Sequence, residues 1–121
     1  MLLVDHGSRR PEAARVAEAV AAALRLREPG WIVEVAHLEI QEPKVDAGID
    51  ACVAAGASEV VIHPYFIAPG MHAIRDIESH LDAARTRHAG IPMRVTPPLG
   101  FDERIVEVVL ERIQLSDVGE G

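Results

Sequence analysis

Apolar and polar positions along the chain follow two alternating periods. The unbroken run Leu2-Leu3-Val4 predicts a short buried strand over residues 1–4. Residues 11–28 bring Ala13, Val16, Val20 and Leu24 back at near-helical spacing, and Pro29-Gly30 stops that helix. A second strand over 31–38 follows from Ile32, Val33, Val35 and Leu38. Pro43 then opens a helix that carries Val45, Ile49 and Val53 on one stripe and ends at Gly56. Residues 60–66 are β-branched and aromatic, hence a third strand. After Pro69-Gly70 a third helix turns Ile74, Ile77, Leu81 and Ala84 toward the core and closes near Gly90. A weak fourth strand over 93–96 precedes Pro97-Pro98. The last helix starts at Asp102, with Phe101 and Val106 placed for a hydrophobic staple and Ile105, Val109 and Ile113 to be buried.

The order βαβαβαβα predicts an α/β fold. Four parallel strands with right-handed crossovers place helices on both faces of the sheet, as in a flavodoxin-like half. Residues 1–115 make one domain and 116–121 a frayed tail. In such sheets ligands sit in the crevice outside the carboxyl ends of the strands, where strand order reverses.

Composition narrows the partners. A chain of 121 residues, 49% apolar, holds one core but does not enclose a ligand much larger than a nucleotide without a second subunit. Nineteen acids against twelve bases, eleven of them Arg and one Lys44, give a net charge of −7, which excludes a nucleic-acid binder. The lone Cys52 excludes an internal disulfide framework and points to a reducing cytoplasm. No apolar run approaches the ~20 residues of a membrane helix, and Asp5 and His6 interrupt the N-terminus before a signal-peptide core forms.

Three loops converge on the carboxyl edge. The first carries Asp5, His6, Gly7, Ser8, Arg9 and Arg10; the second Glu39 and Glu42; the third His72, with Arg75 and Asp76 one turn on. Two neutral imidazoles facing one cavity suit a borderline divalent metal and can accept protons near pH 7. Gly7 allows close approach of a ligand, and Asp76 lies one helical turn from His72, where its carboxylate can orient the ring. The plainer readings are a loop histidine bonded to backbone, acids that only favour helix N-termini, and solvated arginines. His37 and His63 fall inside strands and read as packed, His80 and His88 as surface residues, and Cys52 as a small core residue. No Gly-x-Gly-x-x-Gly or Walker loop follows the first strand, no nucleophile elbow is present, and the third strand ends without an aspartate. A metal remains.

The blocks Leu-Leu-Val-Asp-His-Gly-Ser-Arg at 2–9, Glu-Val-Ala-His-Leu-Glu-Ile-Gln-Glu-Pro at 34–43 and Pro-Tyr-Phe-Ile-Ala-Pro-Gly-Met-His-Ala-Ile-Arg-Asp-Ile at 64–77 resemble the small sirohydrochlorin cobaltochelatases of the CbiX type and their SirB ferrochelatase relatives, from residue 2 to about 113. The resemblance implies a class II chelatase of the cobalamin or sirohaem route. It works without ATP or an organic cofactor and takes Co²⁺, or Fe²⁺ or Ni²⁺, as substrate. Short members pair as homodimers. The resemblance also implies that His6 and His72 hold the metal and accept pyrrole protons. Ser8, Arg9, Arg10, Glu39, Glu42 and Arg75 would meet the tetrapyrrole, with Asp76 behind His72. His37 departs from the family, which usually has an aromatic or apolar residue there. Metal insertion requires stripping water from the ion, removing two N–H protons and holding the ring, tasks that imidazoles and an open cavity can divide. Sirohydrochlorin carries eight carboxylates, which suits arginines at the mouth of an acidic protein. The alternatives are a non-catalytic metal or tetrapyrrole carrier using the same pocket and a metal-dependent hydrolase, which needs a third ligand.

Overall fold

Leu2, Leu3 and Val4 are wholly buried in the computed structural model, whose described residues are 1–120, with side chains described to Ser116. They lie in β1 (Leu2–Asp5), followed by α1 (Pro11–Arg27), β2 (Glu34–His37), α2 (Val45–Ala54), β3 (Val60–Pro64), α3 (Met71–Arg87), β4 (Met93–Val95) and α4 (Glu103–Glu120). All three strand pairings are parallel and the order is β2-β1-β3-β4. This is the expected α/β sheet with helices on both faces. The reversal of strand order falls between β1 and β3. Of the expected tail over 116–121, the backbone is helical as far as Glu120, and Gly121 lies outside the described residues.

Alternation within the strands divides the core in two. Leu2, Val4, Ala36, Val60 and Ile62 face α2 and α3, whose Val45, Ile49, Ile77 and Leu81 complete the larger cluster. Leu3, Val33 and Val35 face α1. Helix α2 lies close enough to the sheet that a Cβ on Gly48 would stand 2.8 Å from both the Ala36 Cβ and a Leu2 methyl. Cys52 is fully buried there, and desolvation pushes its thiol pKa up, away from nucleophilic use.

Helix α1 differs from its expected stripe. Ala17 and Ala21 are buried, whereas Val16 is 55% exposed. Small side chains let the helix sit tightly on β1 and β2, and Val20 and Leu24 of the expected stripe pack, partly buried, beside them. The departure at α4 is greater. Ile105 is half-buried, and Val109 and Ile113 are 51% and 53% exposed, so the expected burial of this face does not occur. Phe101 is 80% exposed, and the expected staple stays open. The cause lies in the preceding connection. The Leu99 and Gly100 N–H groups donate to the Phe66 and Ile67 carbonyls at 2.9 Å, pinning the chain along the β3–α3 loop. From there α4 leads away, and among the described residues it contacts no other helix or strand.

His80 and His88 are not simple surface residues. Each ties α3 to α2, His80 Nδ1 to Asp46 Oδ1 and His88 Nε2 to Asp50 Oδ1, both at 2.6 Å. The His88 hydrogen bond, assisted by Arg87 and opposed by partial desolvation, holds the Asp50 carboxyl below its ordinary 3.8. A depressed folded-state pKa contributes stability above the unfolded value and loses it as pH falls through the folded one. Asp50→Asn is therefore expected to lower stability at pH 7 by about 1 kcal/mol or less, since the pair is half-exposed and screened. The gap in melting temperature from the unmodified chain should narrow as the pH is taken below 3.8. A gap constant from pH 7 to 3 would contradict this.

Candidate metal and ligand site at the carboxyl edge

Parallel register puts the ends of β1 and β2 level: Asp5 is opposite His37. Their side chains meet, with His37 Nδ1 2.5 Å from Asp5 Oδ1 and the imidazole only 5% exposed. The histidine expected to be packed is thus packed, and its partner is the residue preceding His6. Asp5 and His37 were not expected to pair, because only the strand register brings together residues 32 apart. An acid ending one strand and a histidine ending its neighbour are the signal available in the sequence.

The loops beyond these strands are stitched together. The Leu38 N–H donates to the Asp5 carbonyl at 3.0 Å, the Glu39 N–H to the His6 carbonyl at 3.1 Å, and the Ser8 N–H to Gln41 Oε1 at 3.0 Å. Gly7, with φ +96°, lies against the Glu39 carbonyl, which a Cβ would meet at 1.9 Å. The close approach that this glycine permits is therefore made by the neighbouring backbone and not by a ligand. The loop after β2 also holds Ile40 at φ +71°, a costly conformation for a β-branched residue, with 55% of its surface exposed.

The six histidines separate by what they bond. Four have ring nitrogens bonded to protein side chains: His37 to Asp5, His63 to Thr96, His80 to Asp46 and His88 to Asp50. His6 and His72 are both exposed, and among the described residues neither ring accepts or donates such a bond. His6 follows β1 and His72 sits in the first turn of α3, just after the loop that leaves β3, so the two lie beyond the ends of adjacent strands at the switch point. The His6 ring meets the edge of Phe66 from that second loop, with centroids 5.8 Å apart and planes at 77°.

The other candidates hold different positions. Arg9, Arg10, Arg75 and Asp76 are exposed, and among the described residues no hydrogen bond joins Asp76 to His72. Ser8 Oγ accepts the Arg10 N–H at 3.0 Å, shaping the turn into α1. Glu42 accepts the Lys44 N–H at 3.2 Å and Nζ at 3.3 Å, which attaches it to the start of α2. Glu39 is exposed beside His6. Among the described residues no group of three His, Cys, Asp or Glu side chains stands ready as a metal cage. The reading of the sequence did not anticipate an apolar rim. Ile40, Ile67, Met71, Leu99 and Phe101, on the loops or helix starts after the second, third and fourth strands, are all more than 40% exposed.

The CbiX family model matches residues 1–116. The chain belongs to the CbiX family. Among curated relatives, the chloroplastic sirohydrochlorin ferrochelatase of Arabidopsis thaliana is 38% identical to this CbiX chain over 114 residues, covering 94% of it and 51% of the relative. The sirohydrochlorin cobaltochelatase of Sulfolobus acidocaldarius is 35% identical over 121 residues, covering 100% of this chain and 94% of the relative. The crystal structure of the sirohydrochlorin chelatase SirB from Bacillus subtilis subspecies spizizenii in complex with cobalt superposes with a TM-score of 0.84 at 32% identity, covering 93% of this chain and 48% of that one. The chain spans about half the length of several relatives it matches, the Arabidopsis and Bacillus ferrochelatases among them. No helix of the CbiX chain, among the described residues, is long and apolar enough to cross a membrane.

Proposed function

We propose that this chain is a sirohydrochlorin chelatase that inserts a divalent metal, Co²⁺ first and Fe²⁺ or Ni²⁺ as alternatives, into the tetrapyrrole without ATP or an organic cofactor. It acts as a homodimer in the cytoplasm. The observation that carries this reading is the division among the histidines: the two that bond no protein side chain among the described residues lie beyond the ends of adjacent strands at the switch point. An exposed imidazole can replace a water on the incoming ion, and an imidazole nitrogen not bound to the ion can accept a pyrrole proton as the metal enters. The apolar rim offers a surface for the flat face of a macrocycle, and Arg9, Arg10 and Arg75 offer forked donors for its peripheral carboxylates. The shared family and the activities of the relatives support the same chemistry.

The test is a multiple-turnover assay. With sirohydrochlorin in excess over protein, adding Co²⁺ should change the tetrapyrrole absorbance far faster than in the uncatalysed mixture, and turnover should exceed one per chain many times. Stoichiometric binding that stops at one equivalent would replace this reading by a carrier of metal or tetrapyrrole.

A further inference from the structure

The carboxyl edge of the sheet has two sides, and its histidines divide between them. Phe66 packs against the larger core cluster, on the side of α2 and α3. His6 meets Phe66 and His72 sits in the first turn of α3, so both stand on that side. Asp5 and His37 continue the alternation of Leu3 and Val35, which pack against α1, and therefore lie on the other side, where Tyr65 also packs. An ionised carboxylate only accepts, so the contact with Asp5 Oδ1 fixes a proton on His37 Nδ1 and leaves the lone pair of the neutral ring on Nε2. Among the described residues Nε2 has no partner, yet no buried side-chain nitrogen or oxygen among them lacks one. Nε2 is therefore open to the surface, on a side chain only 5% exposed. A buried acid orients the ring from behind, and one nitrogen faces out.

We propose that His37, held by Asp5, accepts one of the two pyrrole protons, from the side of the macrocycle opposite to that on which His6 and His72 bring the metal. This rests on the chelatase function proposed above. Insertion releases two protons for each ion. An imidazole whose lone pair holds the ion takes neither, and one beside a dication becomes an imidazolium only against like charge, so His6 and His72 are poorly placed to take both. His37 stands apart from them across the edge, with a carboxylate behind it. Its Nε2 lone pair forms the new N–H bond as the pyrrole N–H bond breaks, and the electron pair left on the pyrrole nitrogen becomes a donor to the ion. Nothing is oxidised or reduced. Asp5 stays ionised and offsets the charge of the imidazolium, as the acid of a catalytic triad does. His37 then gives the proton to water through the same exposed nitrogen, and the other pyrrole proton is left to an imidazole nitrogen not bound to the ion. Arg10 at the start of α1 is on the side of His37 as well, so a macrocycle bridging the edge finds a donor for its carboxylates there. His37 is thus a catalytic residue and Asp5 a positioning residue that acts through it.

The test is single-turnover insertion, with protein in excess over sirohydrochlorin and Co²⁺ varied, so that product release does not mask the step. His37→Gln removes the base and is expected to lower the rate constant at saturating Co²⁺ about 10²-fold, the lower end of what a positioned proton acceptor contributes. The Co²⁺ concentration that gives half the maximal rate should not change, because His6 and His72 are intact. Asp5→Asn keeps a side chain able to bond to the ring but removes its charge, and should slow the same step with the same Co²⁺ requirement. If His37→Gln does not fold, Asp5→Asn decides alone. An unchanged rate constant in either folded variant overturns the proposal. A raised Co²⁺ requirement that accounts for the whole loss means that the pair only props His6 in place, and overturns it too. The unmodified chain separates this role from the function on which it rests. If it inserts Co²⁺ and the variants do so equally well, only the role of His37 falls; if it inserts none, the chelatase reading fails and the proposal falls with it.

Discussion

Replacing His72 by alanine is expected to slow metal insertion into sirohydrochlorin by 10² to 10⁴-fold, the usual worth of a positioned proton acceptor. His6→Ala should do the same, and the double variant should be little worse than either single one if both rings serve one ion. Because both side chains are exposed and make no hydrogen bond to protein among the described residues, neither change should move stability by more than about 0.5 kcal/mol. The comparison that gives these numbers meaning is His80→Ala. It removes the 2.6 Å bond to Asp46 across α2 and α3 and should lower stability while leaving the insertion rate nearly intact. Rates would be measured from the tetrapyrrole absorbance with Co²⁺ and melting temperatures from the same preparations. An unchanged rate in His72→Ala would remove the assigned role.

These expectations show which features can be read from a sequence of this kind. The first strand announced itself as an unbroken apolar run, the third by its β-branched residues and the helices by apolar spacing, and Pro and Gly mark the joints. His6 and His72 were legible for a related reason: they follow strands, and the fold fixes where strands end. Legibility fails where the outcome depends on register or on competition between surfaces. The pairing of Asp5 with His37 arises only when β1 and β2 align residue for residue. On α1 the stripe Ala13, Val16, Val20 and Leu24 is the more hydrophobic one, yet Ala17 and Ala21 make the closest contact because a small side chain permits a shorter helix-to-sheet distance. The apolar residues of α4 read as core from their spacing alone. Periodicity shows that a face is apolar, and says nothing of whether the same chain covers it. Glu42 had two readings from sequence, a ligand to the cavity or a partner for the helix start, and its bonds to Lys44 attach it to the helix.

Gly7→Ala is expected to be the most destabilising single-methyl change at a glycine of the loops. Two costs combine there. A φ of +96° disfavours any L side chain by about 1–2 kcal/mol, and the new Cβ would stand 1.9 Å from the Glu39 carbonyl oxygen and 2.9 Å from its carbon. Neither atom belongs to a flexible side chain, so the loops after β1 and β2 must part. In doing so they would strain or break the bonds from Glu39 N–H to the His6 carbonyl and from Ser8 N–H to Gln41. Gly56 isolates the first cost, because its φ is +99° but a Cβ there would meet nothing within 4 Å. Gly56→Ala should therefore cost about 1–2 kcal/mol and leave chelation intact. Gly7→Ala should cost at least about 3 kcal/mol, a large share of the 5–15 kcal/mol that holds a domain of this size together. Since His6 is the preceding residue, whatever folds should also insert metal slowly. Urea midpoints for the two variants, measured side by side, decide the matter. Equal midpoints would mean that the Glu39 carbonyl yields at no cost, and that the two loops do not hold His6 in place.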